Sequence, residues 1–172
     1  MTTESKNYVM LFPGQGSQEK GMGQGLYDHD EPTRQLFHWA GNILGYSLEE
    51  LCFEDPKGEL SGDNFDTSKV QPALLLTSVA TSRFLKRNGV PTPGFQLGHS
   101  AGKIAAFVES GALDLEEAVR FMPIRGRAIR SLRDELDPVV AVISRLDWDK
   151  VVRLFADIRH LAPSFLPTVE NS

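Results

Sequence analysis

A chain of 172 residues, 41% hydrophobic and 24% charged, is long enough for one domain with a real core, or one domain plus part of another, but not for two complete domains. A net charge of −5, a pI near 5.4 and the lack of any basic cluster interleaved with aromatics argue against nucleic acid or anionic lipid as a partner, and no apolar run approaches the roughly 18 residues of a membrane span. The single cysteine, Cys52, has no companion for a disulfide or at metal-ligand spacing, so it reads as a small core hydrophobe in a reducing compartment, and no metal site is indicated.

The first seven residues, Met1-Thr2-Thr3-Glu4-Ser5-Lys6-Asn7, are polar, without a signal peptide's apolar stretch or a presequence's arginine-rich face, so a cytoplasmic location is expected. Tyr8-Val9-Met10-Leu11-Phe12 is an apolar run stopped by Pro13-Gly14, the pattern of a strand buried on both faces of a parallel sheet. The glycine-rich Gly14-Gln15-Gly16-Ser17-Gln18 and Gly21-Met22-Gly23 meet neither nucleotide fingerprint: no G-K-[ST] ending follows, and no G-x-G-x-x-G opens an apolar helix. Glycine here allows close backbone approach instead. The Gln15 amide, at a strand's C-terminal end, can donate into the crevice where parallel α/β sheets bind ligands.

Asp30 is placed to cap a helix from about Glu31, with Leu36, Phe37, Ala40, Ile43 and Leu44 on one face and Gly45 ending it. His29 and His38 lie around it without catalytic companions and read as structural or exposed. Ser47 with Glu50 forms a capping box for a further short helix, and residues 56–68 are a polar connector rich in Gly and Asp. The run from Val70 through Leu85 to Asn88-Gly89 predicts a long, largely apolar helix, buried centrally, with Pro72 tolerated near its start.

A short strand, Phe95 to Leu97, leads into Gly98-His99-Ser100-Ala101-Gly102. In this G-x-S-x-G turn two residues without a Cβ let the chain bend so sharply that the serine projects, which makes Ser100 the candidate nucleophile. A helix beginning at about Ala101 directs its N–H groups and positive dipole end at whatever Ser100 attacks, which suits a developing oxyanion and hence acyl transfer. By itself the pattern also fits an ordinary loop of small residues.

Asp114 with Glu117 caps the next helix, whose Leu115, Ala118, Val119 and Met122 face inward, and Pro123 should kink or break it. Arg125, Arg127, Arg130 and Arg133 follow, a run of the kind that mostly pairs with surface carboxylates. Val139 to Ile143 reads as a strand, Asp149 to about Arg159 as an amphipathic helix and Leu166 to Val169 as a strand, together the start of a second unit.

Leu11-Phe12-Pro13-Gly14-Gln15-Gly16-Ser17-Gln18, Gln71-Pro72-Ala73-Leu74, the serine turn and Ile124-Arg125-Gly126 together resemble, in order and spacing, the malonyl-CoA:acyl-carrier-protein transacylases, including the acyltransferase domains of polyketide and fatty acid synthases. The resemblance covers nearly the whole chain but about the first half of the family's catalytic unit. It implies an α/β-hydrolase-like core over residues 1–134 and the start of a ferredoxin-like small subdomain over 135–172. It implies Ser100 as the residue that takes malonyl from CoA and passes it to the phosphopantetheine thiol of an acyl carrier protein, without a bound cofactor. Gln15 and the backbone N–H of Ala101 match the oxyanion-hole donors, and Arg125 matches the arginine that holds the malonyl carboxylate. A guanidinium fork grips a carboxylate with two hydrogen bonds and offers less to a simple acyl group.

Serine needs a positioned base. In the family that histidine comes later than this sequence reaches, and His29, His38, His99 and His160 do not match its position; His99, adjacent to the nucleophile, reads as a packing residue. Lys103 stands where the family commonly has Glu. The readings are therefore a malonyl transacylase half-site, either a truncated product or one piece completed by another chain, a non-catalytic binding or assembly module, and an acyl hydrolase using the same elbow.

Overall fold

Two short strands organise the first unit of the computed structural model, which describes residues 8–136, 147, 149–150 and 152–153. The chain divides into two units, residues 1–136 and 137–172. Strand β1 (Val9–Phe12) pairs in parallel with β2 (Phe95–Gly98), in the register Val9 to Phe95, Met10 to Gln96, Leu11 to Leu97 and Phe12 to Gly98. This pairing brings the glycine-rich loop after β1 and the serine turn after β2 to the same end of the sheet.

Between the strands the chain builds a helical layer. Helix α1 (Gln24–His29), which the sequence did not suggest, starts at Gly23 with a left-handed φ of 81°. Helix α2 (Glu31–Leu44) starts where expected: the Asp30 carboxylate accepts from the Thr33 N–H at 3.0 Å, and Gly45 ends it in the left-handed region. Ser47 Oγ accepts from the Glu50 N–H at 3.0 Å, ahead of a π-helical turn, Glu50–Glu54. Cys52 is buried there, and burial pushes its thiol up to about 12.

Helix α3 (Thr67–Arg87) begins earlier than the periodicity predicts because Asp66, inside the presumed connector, caps it through the Ser68 N–H at 2.9 Å. Its Val70, Ala73, Leu75, Leu76 and Val79 are fully buried or nearly so, placing it at the centre of the core. Helices α4 (Gly102–Glu109) and α5 (Leu115–Leu136) pack against it. Glu109 fastens α4 to α3: its side chain, 2% exposed, accepts from Ser82 Oγ at 2.6 Å, Lys86 Nζ at 2.7 Å and Arg83 Nε at 3.1 Å. Burial alone would raise this carboxyl, but the three donors hold it below its ordinary value.

Two expectations are corrected. The sheet is not covered on both sides: α4 lies against both strands, yet Val9, Leu11, Phe95 and Leu97, which alternate with the inward-facing residues, are 45%, 71%, 72% and 56% exposed. And α5 runs through Pro123 without a break. The missing N–H is a local cost, offset because Ala118, Val119, Met122 and Gly126, before and after the proline, are buried.

In the second unit Asp149, Lys150, Val152 and Arg153 are helical, as the sequence predicts for this stretch, and Lys150 Nζ lies 3.3 Å from Asp147 Oδ2. The predicted strands at 139–143 and 166–169, and His160, lie outside the described residues.

Candidate active site

The bend at Ser100 is held by contacts that leave no room for larger residues. The His99 N–H donates to Phe12 O at 3.1 Å, hooking the turn onto the end of β1, and the Gly102 N–H donates to His99 O at 2.7 Å. Ser100 itself has φ 46°, one of two non-glycine residues in the left-handed region among those described. That conformation is strained for a residue with a Cβ, and it persists only where the surroundings enforce it. A Cβ at Gly98 would meet the backbone of Gly102, one at Gly102 would meet Phe12 O, and one at Gly14 would come within 2.6 Å of His99 O. The first two glycines are those of the G-x-S-x-G reading; Gly14 shows the loop after β1 pressed against the same turn.

The helix-start donors are more committed than expected. Helix α4 begins at Gly102, and its Gly102, Lys103 and Ile104 N–H groups donate to His99 O, Ser100 O and Ala101 O. The positive dipole end still faces the turn, but these three donors are used within it, so the candidate oxyanion donor there is the N–H of Ala101, a residue 2% exposed.

Gln15 and Arg125 come together through a residue to which the sequence assigned no role. Gln71, on α3 and 1% exposed, donates from Nε2 to Gln15 Oε1 at 3.4 Å and accepts from Arg125 NH1 at 2.6 Å. The second guanidinium nitrogen, NH2, lies 3.4 Å from Ser100 Oγ. Gln15, Gln71, Arg125 and Ser100 thus form one polar chain, contributed by the loop after β1, α3, α5 and the loop after β2. With its Oε1 facing Gln71, Gln15 keeps its NH2 group as a donor. The signal for Gln71 was present in the sequence: an amide at the start of an otherwise apolar helix, destined for burial, requires partners.

Arg125 reaches this position because α5 crosses the first turn of α3 closely. A Cβ on Gly126 would lie 2.7 Å from Thr67 O and Ser68 N. One turn further, Arg130 NH2 donates to Asp66 Oδ1 at 2.7 Å, the capping carboxylate of α3. Of the arginine run, Arg130 thus fastens the two helices and Arg125 enters the site, while Arg120, ahead of the run, pairs with Glu116 on its own helix.

The histidines contribute differently. His38 pairs through Nδ1 with Glu49 at 2.8 Å, and its Nε2 is 3.2 Å from the Tyr27 hydroxyl, so both nitrogens are engaged on the α2 side. The His99 backbone carbonyl and ring border Gly14. Lys103 is exposed on the first turn of α4. Among the described residues no group of three or more His, Cys, Asp or Glu could hold a metal ion, and no helix is long and apolar enough to cross a membrane.

Residues 9–147 match the acyl transferase domain family. The chain belongs to that family. It is 39% identical over 139 residues to the malonyl CoA-acyl carrier protein transacylase of Bacillus subtilis, covering 81% of this acyl transferase chain and 42% of the relative. It is 34% identical over 143 residues to the transacylase of the same name from Staphylococcus aureus, covering 83% and 44%. Among solved structures, malonyl CoA-acyl carrier protein transacylase from Clostridium perfringens matches with a TM-score of 0.75 at 30% identity, over 91% of this chain and 47% of that one. A chain from the complex of a type II PKS acyl-carrier protein with its malonyl-transacylase matches with a TM-score of 0.75 at 33% identity, over 89% and 48%. This acyl transferase chain therefore spans less than half the length of the relatives and structures it matches. It has a helical layer on a small parallel sheet, as an α/β protein.

Proposed function

We propose that this chain carries the acyl-accepting half-site of a malonyl-CoA:acyl-carrier-protein transacylase. The observation that supports this best is the guanidinium of Arg125 beside the Ser100 hydroxyl, fixed at its other nitrogen by buried Gln71. In the proposed reaction Ser100 Oγ attacks the thioester carbonyl of malonyl-CoA, and its proton passes to a base. Gln15 Nε2 and the Ala101 N–H stabilise the oxyanion; the C–S bond breaks, CoA leaves as the thiol after taking the proton, and malonyl remains esterified to Ser100. The phosphopantetheine thiol of a carrier protein then attacks the ester, and Ser100 recovers its proton. Arg125 holds the free malonyl carboxylate throughout, which favours this donor over acetyl-CoA.

No bound cofactor takes part in this scheme. The base is a histidine from the half of the catalytic unit that lies beyond the part matched here. The location is cytoplasmic. The larger fold is an α/β-hydrolase-like core with residues 135–172 opening a ferredoxin-like small subdomain.

The test is the intact mass of the chain after incubation with malonyl-CoA, followed by peptide mapping. A malonyl ester on the peptide containing Ser100, lost in Ser100→Ala, is the expected result. A folded chain that stays unmodified, alone and with the complementary half of a relative, would instead favour the non-catalytic module.

A further inference from the structure

We infer that the cavity between the C-terminal end of α2 and the segment leading into the π-helical turn is a binding site for a small organic cation, an alkylammonium ion seated on Glu49. None of the residues lining it belongs to the polar chain from Ser100 to Gln15.

The cavity has a volume of about 540 Å³, within the range of about 300–1,000 Å³ usual for small-molecule sites, and Tyr27, His38, Asn42, Tyr46, Ser47 and Glu49 line it. Among the described residues that line it Glu49 is the one carboxylate, with its side chain 17% exposed, and there is no lysine or arginine. Glu49 Oε2 accepts from Ser47 Oγ at 3.0 Å. Its Oε1 is buried, and although His38 Nδ1 lies 2.8 Å away the ring is not aligned to donate, so this oxygen has no hydrogen bond among the described residues. The Tyr46 hydroxyl, also buried, has none either. Buried polar atoms without partners are few in folded proteins, and two at one cavity point to a ligand that brings donors.

The sign of the ligand's charge follows from the surroundings. The last turn of α2 has no basic residue. Its Gly41 carbonyl accepts from the Gly45 N–H at 2.8 Å, and the carbonyls after it take no hydrogen bond among the described residues, so the negative end of the helix dipole borders the cavity uncompensated. Burial first, and the charge of Glu49 next, raise the Tyr27 phenol, as expected where a negative field crosses the cavity. The Tyr46 ring already holds one cation, since Lys69 Nζ lies 5.3 Å from its centroid. A carboxylate, a helix C-terminus and tyrosine rings together favour an ammonium ion and oppose an anion. His38, its side chain 63% exposed, can turn aside to admit the ammonium to Oε1.

The test titrates the isotope-labelled full chain with 1,4-diaminobutane, using 1,4-butanediol as the neutral probe of the same length, and follows the amide resonances. The diamine should bind saturably with a Kd below about 2 mM, with shifts concentrated at Gly41, Asn42, Tyr46 and Ser47, and the diol should give no saturable shift. Glu49→Gln, which keeps the size of the side chain, should weaken binding by at least about tenfold. Glu50→Gln makes the same charge change at a residue that does not line the cavity, and should alter binding by less than about twofold.

Equal weakening by Glu49→Gln and Glu50→Gln would mean attraction to net negative charge alone, and would overturn the inference. Shifts centred away from residues 38–49, equal saturable shifts with the diol, or no binding at about 20 mM would overturn it as well. The shift map is read on the unaltered chain, so it decides the matter even if Glu49→Gln fails to fold.

Discussion

Replacing Gln71 with leucine should disconnect Arg125 from the core while leaving the core filled. The Arg125 NH1 to Gln71 Oε1 bond, at 2.6 Å to a buried amide, is charge-assisted and falls in the class that contributes about 1.5–3 kcal/mol. The Gln15 contact at 3.4 Å adds little. Against this, leucine is close in size and loses no hydrogen bond of its own, and the half-buried guanidinium can recover water. The expected net loss is about 1–2 kcal/mol in urea unfolding, with an unchanged m-value. Function should suffer more than stability, because a guanidinium no longer fixed at one nitrogen must be ordered by the ligand. The stabilisation of the chain by added malonate, read as a shift in Tm, should therefore fall sharply in Gln71→Leu, and acetate should give no comparable shift in either protein. Gln71→Glu should behave oppositely in stability: the new carboxylate pairs with Arg125, holds the chain together and still abolishes the malonate effect. If Gln71→Leu retains both full stability and the full malonate shift, Gln71 does not position Arg125.

The remaining predictions concern the elbow and the core. Gly98→Ala and Gly102→Ala should each cost more than about 3 kcal/mol or prevent folding, since the added methyl meets backbone on both counts, whereas Gly111→Ala, with open space around it, should cost about 1 kcal/mol from its φ of 79°. Glu109→Gln should destabilise by about 2 kcal/mol at neutral pH, measured by urea unfolding. Because the folded protein holds the Glu109 carboxyl below its ordinary value, its contribution is present above that value and is lost as pH falls through the lowered one; the gap between wild type and Glu109→Gln should narrow on acidification. Cys52, with its thiol raised to about 12 by burial, should resist a thiol reagent at pH 8 in the native chain and react at once in urea; fast native reaction would mean that the π-helical turn opens.

Much of this was legible in the sequence because local rules acted undisturbed. The serine turn is dictated by two glycines at positions where the structure has no space for a Cβ, and Asp30, Gly45 and Asp114 mark helix ends through side chains or conformations that only such residues provide. What was misread depends on neighbours distant in sequence. Of the kink or break that Pro123 locally demands, the break does not occur, and α5 continues because packing before and after it outweighs one lost hydrogen bond. Tyr8 to Phe12 has the composition of a doubly buried strand, and composition cannot say whether the second covering layer is present. Which partners the Gln71 amide would find was not legible, since Gln15 and Arg125 lie 56 and 54 residues away. The N-terminal N–H groups of α4 appeared free in sequence and are in fact used by the turn that creates the site.

The central claim, that Arg125 selects a carboxylated acyl group for Ser100, is tested most directly by the ratio of malonyl to acetyl loading, each read by intact mass on the chain completed by its complementary half. Wild type should favour malonyl by at least about a hundredfold, and Arg125→Ala should bring the ratio down by a similar factor while leaving acetyl loading within about threefold. An Arg125→Ala chain that still prefers malonyl as strongly as wild type would contradict the account.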